Sequence, residues 1–179
     1  NEEVTYTLGD YNADGASDMY RIAHNKTSSG KVEVGVLDGS NKYASYLKKW
    51  TTTEPTHPAS DVWYAVADQN GDGSLDLYQV WHDHTASQLA EIKVLDGVDF
   101  AKTLFASSAP EPNHSAGDVY FMIGDHNNDG IVDLYQVLHN NTASGRTEVR
   151  VYDGSGDHAV LLSKWTTDQT NYSGNGPNI

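Results

Sequence analysis

The sequence predicts an all-β protein built from three tandem four-stranded antiparallel units. The first observation behind this prediction is a nine-residue loop pattern that begins at residues 10, 68 and 125. The second is that the segments between the loops alternate apolar and polar residues, as half-buried strands do. Repetition at spacings of 58 and 57 residues is typical of a repeat architecture. The units therefore cover about residues 1–60, 61–117 and 118–179.

Length and composition fit a single repeat domain over residues 1–179, because neither a linker nor a shift in composition divides the chain. The formal net charge is -14, with 25 acidic residues against 11 Lys and Arg. Such a chain lacks the basic surface that nucleic acid or an anionic membrane requires. It has no apolar run of transmembrane length, so membrane insertion is not expected. Cysteine is absent, which excludes a disulfide framework and a Cys zinc site.

Each unit is expected to start with two strands separated by the loop. The first strands are alternating segments at residues 4–9, 62–67 and 119–124. The second strands are at residues 18–24, 76–82 and 133–139. On each second strand a Tyr, an Ile or Val, and a His share one face, because side chains alternate along a strand. We expect that face to be the buried one.

The third and fourth strands complete each unit. The third strand ends in Asp-Gly and is predicted at residues 32–39, 90–97 and 147–154, with Val or Ile alternating with polar residues. The fourth strand is the least regular, and its three versions are residues 43–50, 100–106 and 159–165. A connector rich in Pro, Ser and Thr is expected after it, as at residues 52–60.

The repeated loop has the oxygen pattern of a calcium site. Asp or Asn stands at positions 1, 3, 5 and 9 of each copy, and Gly at position 6 permits a sharp turn. The backbone carbonyl of position 7 is the expected fifth protein ligand. Position 12 holds Arg21, Gln79 and Gln136 in place of the Glu of an EF-hand, so no EF-hand is present. Three Ca²⁺ ions are predicted with the following ligands: Asp10, Asn12, Asp14, Ala16, Asp18, Asp68, Asn70, Asp72, Ser74, Asp76, Asp125, Asn127, Asp129, Ile131 and Asp133.

Ordinary turns are the alternative explanation of this pattern, since Asp, Asn and Gly are also common turn residues. Three copies that each keep all four side-chain donors and the glycine favour metal binding over turns.

The D-x-N-x-D-G-x-x-D loop lies between a first and a second strand and is followed by a third strand of the V-x-V-L-D-G type. This arrangement resembles the FG-GAP and VCBS-type calcium-binding repeats of integrin-like β-propellers, and the resemblance covers nearly the whole chain. It implies one propeller blade per unit, with a Ca²⁺ ion on the rim of each blade held by the Asp and Asn residues of the loop.

Three blades are too few to close a propeller, which typically has about four to eight. Three arrangements therefore remain open. The chain is a fragment of a longer array, it associates with a second copy to complete a six-unit ring, or it forms a β-trefoil-like threefold body. The metal loop favours the first two.

Candidate ligand-binding residues lie at matching positions of the units. Trp50 and Trp165 stand near the ends of fourth strands, where a Trp either stacks on a sugar ring or caps the core of its unit. A His ends each second strand and is either a structural hydrogen-bonding residue or a ligand contact. A Glu recurs on each third strand. The recurring candidates are His24, His82, His139, Glu33, Glu91 and Glu148.

The expected function is binding without catalysis. No catalytic motif is present, and a carboxylate that holds Ca²⁺ stays ionised and cannot act as a general acid. Millimolar extracellular calcium fills weak sites, which favours secretion. Lectins occur among FG-GAP-like propellers, so the resemblance adds to the expectation of a secreted carbohydrate-binding module, free-standing or targeting a larger extracellular hydrolase to glycans. The alternative is a protein-interaction or adhesion module of the integrin-like type, and the third hypothesis is a glycoside-active enzyme.

Overall fold

The computed structural model describes residues 1–171 and contains three four-stranded antiparallel sheets, one from each repeat. Strand order within each sheet follows the sequence: β1-β2-β3-β4, β5-β6-β7-β8 and β9-β10-β11-β12. The strands are β1 (Glu3–Gly9), β2 (Asp18–Asn25), β3 (Lys31–Leu37), β4 (Tyr46–Pro55), β5 (Val62–Ala67), β6 (Asp76–Trp81), β7 (Leu89–Leu95), β8 (Thr103–Pro112), β9 (Val119–Gly124), β10 (Asp133–Leu138), β11 (Arg146–Tyr152) and β12 (Leu161–Thr170).

The prediction of three tandem four-stranded units is confirmed. Within residues 1–171 the one helical element is a single 3-10 turn, Gly154–Gly156. No sheet of the described chain mixes strands from different repeats. A β-trefoil-like body would need strands of different repeats to share a barrel, so the sheet order favours the blade-like alternative.

The fourth strands are longer than the sequence suggested. Residue 52 was expected to open a loop connector, and this expectation is wrong because β4 continues to Pro55 and pairs it with Lys31 of β3. The run Thr51–Thr53 is β-branched and suits a strand. A proline is tolerated because β4 is an edge strand, whose outward N–H groups need no partner. The same extension gives β8 and β12 ten residues each.

The chain forms two compact bodies, whose boundaries do not coincide with those of the three repeats. One consists of Asn1–Val80 with Lys93–Ala106, and the other of Trp81–Ile92 with the chain from Ser107 onward. Each of the two compact bodies has its own buried apolar residues. In the first these include Tyr20, Ile22, Val34, Val36, Leu77, Tyr78 and Phe100, and in the second Phe121, Leu134, Leu138, Val151 and Tyr152.

The predicted face of the second strand is buried in the first repeat. Tyr20 and Ile22 have no exposed surface and His24 is 1% exposed. Their cross-strand partners on β3 include Val36 and Val34, which are equally buried. This face of the first sheet therefore belongs to the core of the first compact body. The opposite face of the same sheet carries the accessible side chains.

The ninth residue of each loop is a buried carboxylate that connects two distant segments. Asp18 accepts the N–H of Tyr11 at 2.9 Å through Oδ2 and the N–H of Gly39 at 2.8 Å through Oδ1. It thereby holds the start of the loop against the turn that follows β3. The equivalent bonds are Gln69 and Gly97 to Asp76 at 2.8 and 2.7 Å, and His126 and Gly154 to Asp133 at 2.8 and 2.8 Å.

The glycine of the Asp-Gly pair is required by this close approach. A Cβ on Gly39 would lie 2.1 Å from the carbonyl oxygen of Ser17, far inside the van der Waals limit. The equivalent distances are 2.4 Å from Gly97 to the Leu75 oxygen and 2.1 Å from Gly154 to the Val132 oxygen. The Asp-Gly pair was interpreted as a turn, and the structure adds that its glycine makes room for the loop backbone.

We expect Gly39→Ala to lower the free energy of unfolding by about 1–3 kcal/mol, because the new methyl group must displace the backbone at Ser17. Urea denaturation measures the change. Gly117→Ala is the matched control, since nothing lies within 4 Å of its added Cβ, and it should shift the free energy by less than about 0.5 kcal/mol. Equal effects of the two substitutions would contradict the steric explanation.

Candidate functional site

The first repeated loop folds its oxygen side chains inward. Asp10 accepts the N–H groups of Asp14 and Gly15 at 3.2 and 2.9 Å, and Asn12 Oδ1 accepts that of Asp14 at 3.2 Å. Asp14 accepts the N–H of Ala16 at 2.8 Å. The loop is thus closed on itself by side chains at positions 1, 3 and 5.

The other two loops repeat this arrangement. Asp68 and Asp125 accept the N–H of the loop glycine at 2.9 and 3.0 Å. The glycine at position 6 has a φ of 88°, 86° and 87° in the three copies, a left-handed conformation that strongly favours glycine. These glycines are Gly15, Gly73 and Gly130.

Hydrogen bonds favour the ionised form of Asp14 and Asp72, at position 5 of the first and second loops, whereas burial raises the pKa of Asp76 at position 9. The N–H of Ala16, followed by the amide of Asn12, lowers the pKa of Asp14. The N–H of Ser74, followed by the amide of Asn70, does the same for the pKa of Asp72. An ionised carboxylate is the form that a hard cation requires.

Each loop offers the types of oxygen donor that calcium prefers. It combines carboxylates with one amide oxygen and the carbonyl of Ala16, Ser74 or Ile131, and each carboxylate oxygen has a second lone pair beyond its hydrogen bond. Within residues 1–171, no group of three or more His, Asp or Glu side chains that could hold a metal ion is present. A calcium ion in one of these loops would therefore need the Asn and carbonyl oxygens as ligands in addition to the carboxylates.

A pocket of about 270 Å³ lies on the first sheet. Cross-strand register explains its composition, because Arg21 of β2, Gly35 of β3 and Lys49 of β4 are opposite one another and share a face. The described residues that line it are Arg21, Glu33, Val34, Gly35, Tyr46, Lys49, Trp50 and Thr51.

Tyr46 forms an aromatic wall of this pocket. Its side chain is 41% exposed, and Lys49 Nζ lies 3.8 Å from its ring centroid in a cation–π contact. The ring occupies space that Gly35 leaves free, since a Cβ on Gly35 would come within 2.6 Å of the ring. An exposed ring beside polar and charged groups is an arrangement that binds a small polar ligand.

The two candidate tryptophans are in different environments. Trp50 pairs with Val34 across the sheet and packs on Phe100 and Tyr11, at 4.7 and 5.7 Å between ring centroids. Its ring therefore caps a core, although the residue also lines the pocket. Trp165 is 46% exposed and contacts the edge of the His126 ring at 5.5 Å. Of the two, Trp165 has the accessible indole.

The candidate histidines are mostly inside the protein. His24 stacks with both His57 and Tyr64, at 5.5 and 5.8 Å between centroids, and its ring Nδ1 lies 3.3 Å from the carbonyl of His57. His82 is 5% exposed and its Nδ1 lies 2.9 Å from the carbonyl of His114. These contacts favour a structural role. His139 is half-buried and stacks on Tyr120 at 4.6 Å.

The three candidate glutamates also differ. Glu33 lines the pocket and accepts the Ser29 hydroxyl at 2.6 Å. Glu91 accepts the equivalent Ser87 hydroxyl at 2.6 Å. Glu148 is 5% exposed and is paired with two cations, Arg150 and Lys164, at 3.2 Å each. Glu33 is thus the one of the three that lines the pocket.

Sequence reasoning missed Arg21, Tyr46 and Lys49. Comparison of the third strands contains a signal for this site, because Gly35 stands where the other repeats have Lys93 and Arg150. A glycine in place of a long cation leaves space on the face of a sheet. This glycine can be related to a pocket only when the register of strands β2, β3 and β4 is known.

No protein-family model matches the sequence, and no curated protein matches it. Within residues 1–171, no helix has the length and apolar character needed to cross a membrane.

Stability should fall when the pH is lowered from 7.5 to 5.5. Burial lowers the pKa of His57, and burial followed by Arg150 lowers that of His114, so both prefer the neutral form when folded. The contribution of the two neutral histidines to the free energy of unfolding is complete above the pKa of about 6.5 that they have in the unfolded chain. It is lost as the pH falls toward their lower pKa in the folded protein. We expect a loss on the order of 1 kcal/mol, since solvent screens both groups in part.

Denaturation at saturating calcium measures this loss at the two pH values. His57→Gln should make this loss of stability smaller. His84→Gln, at an exposed position, is the control and should leave the loss unchanged. A pH dependence that is the same in both variants and the wild type would contradict the assignment to His57.

Proposed function

We propose that the chain is a secreted, calcium-stabilised carbohydrate-binding module. The observation that supports this proposal is the pocket on the first sheet, where the exposed ring of Tyr46 adjoins Arg21, Glu33 and Lys49. Sugars present C–H faces that pack on aromatic rings and hydroxyl groups that bond to charged side chains. The pocket combines both kinds of contact at the scale of one or two sugar units.

The composition of the pocket favours binding over hydrolysis. A glycosidase uses two carboxyl groups on either side of the scissile bond. Among the described residues that line this pocket, Glu33 is the only acidic one. The cations Arg21 and Lys49 and the hydroxyl of Thr51 serve as hydrogen-bond donors to a ligand.

Calcium has a structural role in this proposal. The ligands would be the loop oxygens given above, with Asp10, Asn12 and Asp14 supplying the side chains at positions 1, 3 and 5 of the first site. A divalent cation neutralises carboxylates that otherwise repel one another and ties the loop down. The chain contributes ionised carboxylates and backbone N–H groups that already hold the side chains inward.

A protein-interaction module is the second candidate, and one observation favours it. Tyr120, Met122 and Trp165 of the third sheet are 46%, 53% and 46% exposed. Register places Tyr120 opposite Val137 and Trp165 opposite Val149, so all three belong to one face with half-buried valines. An exposed aromatic face of this kind suits a protein partner, including a second copy of the chain.

Removal of calcium should lower the melting temperature. If free calcium is about 100 times the dissociation constant, each occupied site adds roughly 2.7 kcal/mol to stability by mass action. Calorimetry in calcium and in EGTA measures the change, and light scattering on the same samples tests self-association. Asp14→Asn should reduce the calcium-dependent shift, whereas Asp168→Asn, on an exposed side chain outside the loops, should not. Identical melting in calcium and EGTA would contradict the proposed sites.

Tyr46→Ala should weaken binding to an immobilised oligosaccharide panel about tenfold or more, because it removes the aromatic wall of the pocket. Its exposure means that the fold should persist, which circular dichroism checks. Tyr120→Ala is the matched control, since it removes a similarly exposed tyrosine from the third sheet. Absence of glycan binding by the wild type, with a protein partner retained and then lost on Met122→Glu, would favour the second candidate.

A further inference from the structure

We infer that the three loops differ in calcium affinity and that the ammonium group of Lys102 makes the second loop the weakest site. This inference rests on the calcium binding that is part of the function proposed above. It is carried by one charged side chain that the second repeat places beside its loop, where the other two repeats have neutral residues.

The turn after the third strand is closed by an equivalent residue in each repeat. The N–H of the aspartate of the Asp-Gly pair donates to the carbonyl of Ser45, Lys102 or Val160, at 3.0, 2.9 and 2.9 Å in the three repeats. The backbone position is therefore the same, whereas the side chain is a hydroxyl, an ammonium or an isopropyl group. The second repeat thus differs from the others by one positive charge at this place.

This turn lies against the second loop, so its cation is close to the loop carboxylates. The N–H of Gly97 in the turn donates to Asp76, at position 9 of the loop, at 2.7 Å. Lys102 Nζ donates to Asp96 Oδ2 at 2.7 Å. This hydrogen bond to Asp96 raises the pKa of Lys102, and the charges of Asp72 and Asp76 add to the rise. The ammonium therefore interacts with the loop as well as with the turn.

The aspartate that binds Lys102 has neutral partners in the other repeats. Asp38 accepts the hydroxyl of Ser40 at 2.7 Å and the N–H of Asn41 at 3.1 Å. Asp153 accepts the hydroxyl and the N–H of Ser155 at 2.6 and 2.8 Å. The carboxylate of the Asp-Gly pair thus adds a negative charge next to every loop, and in the second repeat a lysine offsets it.

The affinity of an oxygen site for calcium follows the charge around it. A fixed ammonium repels a divalent cation, and it also occupies a carboxylate that would otherwise attract that cation. The side chain of Lys102 is 63% exposed, so solvent and salt screen part of the repulsion. We therefore expect the second loop to bind calcium about threefold to tenfold more weakly than the other two at low ionic strength.

Calcium titration against a chromophoric chelator at low ionic strength tests this inference. The wild type should show two tighter sites and one weaker site. Asp72→Asn should remove the weaker one, which assigns it to the second loop. Lys102→Gln should tighten the weaker site about threefold or more and leave the tighter sites unchanged. Lys102→Arg keeps the charge and should leave all three affinities unchanged.

Lys26→Gln is the matched control. Lys26 also pairs with a carboxylate, that of Glu3, and its side chain is 59% exposed, but it lies in the turn after β2, at the end of that strand away from the first loop. Removal of this charge should leave the weaker site unchanged. Tightening by the same factor in Lys26→Gln and Lys102→Gln would show an effect of net charge alone and would overturn the inference.

The remaining outcomes separate this inference from the proposed calcium sites. Three equal sites, loss of a tighter site in Asp72→Asn, or no change in Lys102→Gln would overturn the inference and leave the calcium sites standing. Weaker binding in Lys102→Gln would show that the lysine positions Asp96 for the metal, which also overturns it. Absence of calcium binding by the wild type would overturn both the inference and the calcium sites.

Discussion

The structure depends on a buried carboxylate that bridges two backbone segments in each repeat. Asp18, Asp76 and Asp133 are fully buried, and each accepts one N–H from the beginning of its loop and one from the turn after its third strand. A buried carboxyl group is costly unless hydrogen bonds satisfy its oxygens, and each of these residues is satisfied by the N–H groups of two separate segments. Loop, second strand and third strand are held in one geometry by a single side chain.

This hydrogen-bonded bridge explains why the glycine of the Asp-Gly pair and the start of the loop are also the same in every repeat. The glycine that donates to the aspartate has no room for a Cβ, and the aspartate keeps the loop start in place for the inward-folded oxygens. The proposed binding pocket lies at positions that do not repeat. The exchange of Lys93 or Arg150 for Gly35 makes room for the Tyr46 ring, and the exchange of Gln for Arg21 places a cation in the pocket lining, without altering the strand pairing around them.

Several features of the fold were predictable because they follow from local chemistry. Alternation in β2 correctly indicated that Tyr20, Ile22 and His24 share a buried face. The end of β4 was not predictable, because Thr and Pro suit either a connector or an edge strand, and only pairing with β3 decides between them. The orientation of Trp50 was likewise undecided until Phe100, distant in sequence, was found packed on its ring.

The sequence by itself determined the repeat, the strand order within each unit and the oxygen-rich loops, because spacing and alternation are properties of a few neighbouring residues. Tertiary structure decided which candidates are accessible. His24 is covered by residues of the next connector and strand, while Arg21, Tyr46 and Lys49 converge from two strands over a glycine. Such convergence depends on cross-strand register, and register is set by long-range pairing that no single segment encodes.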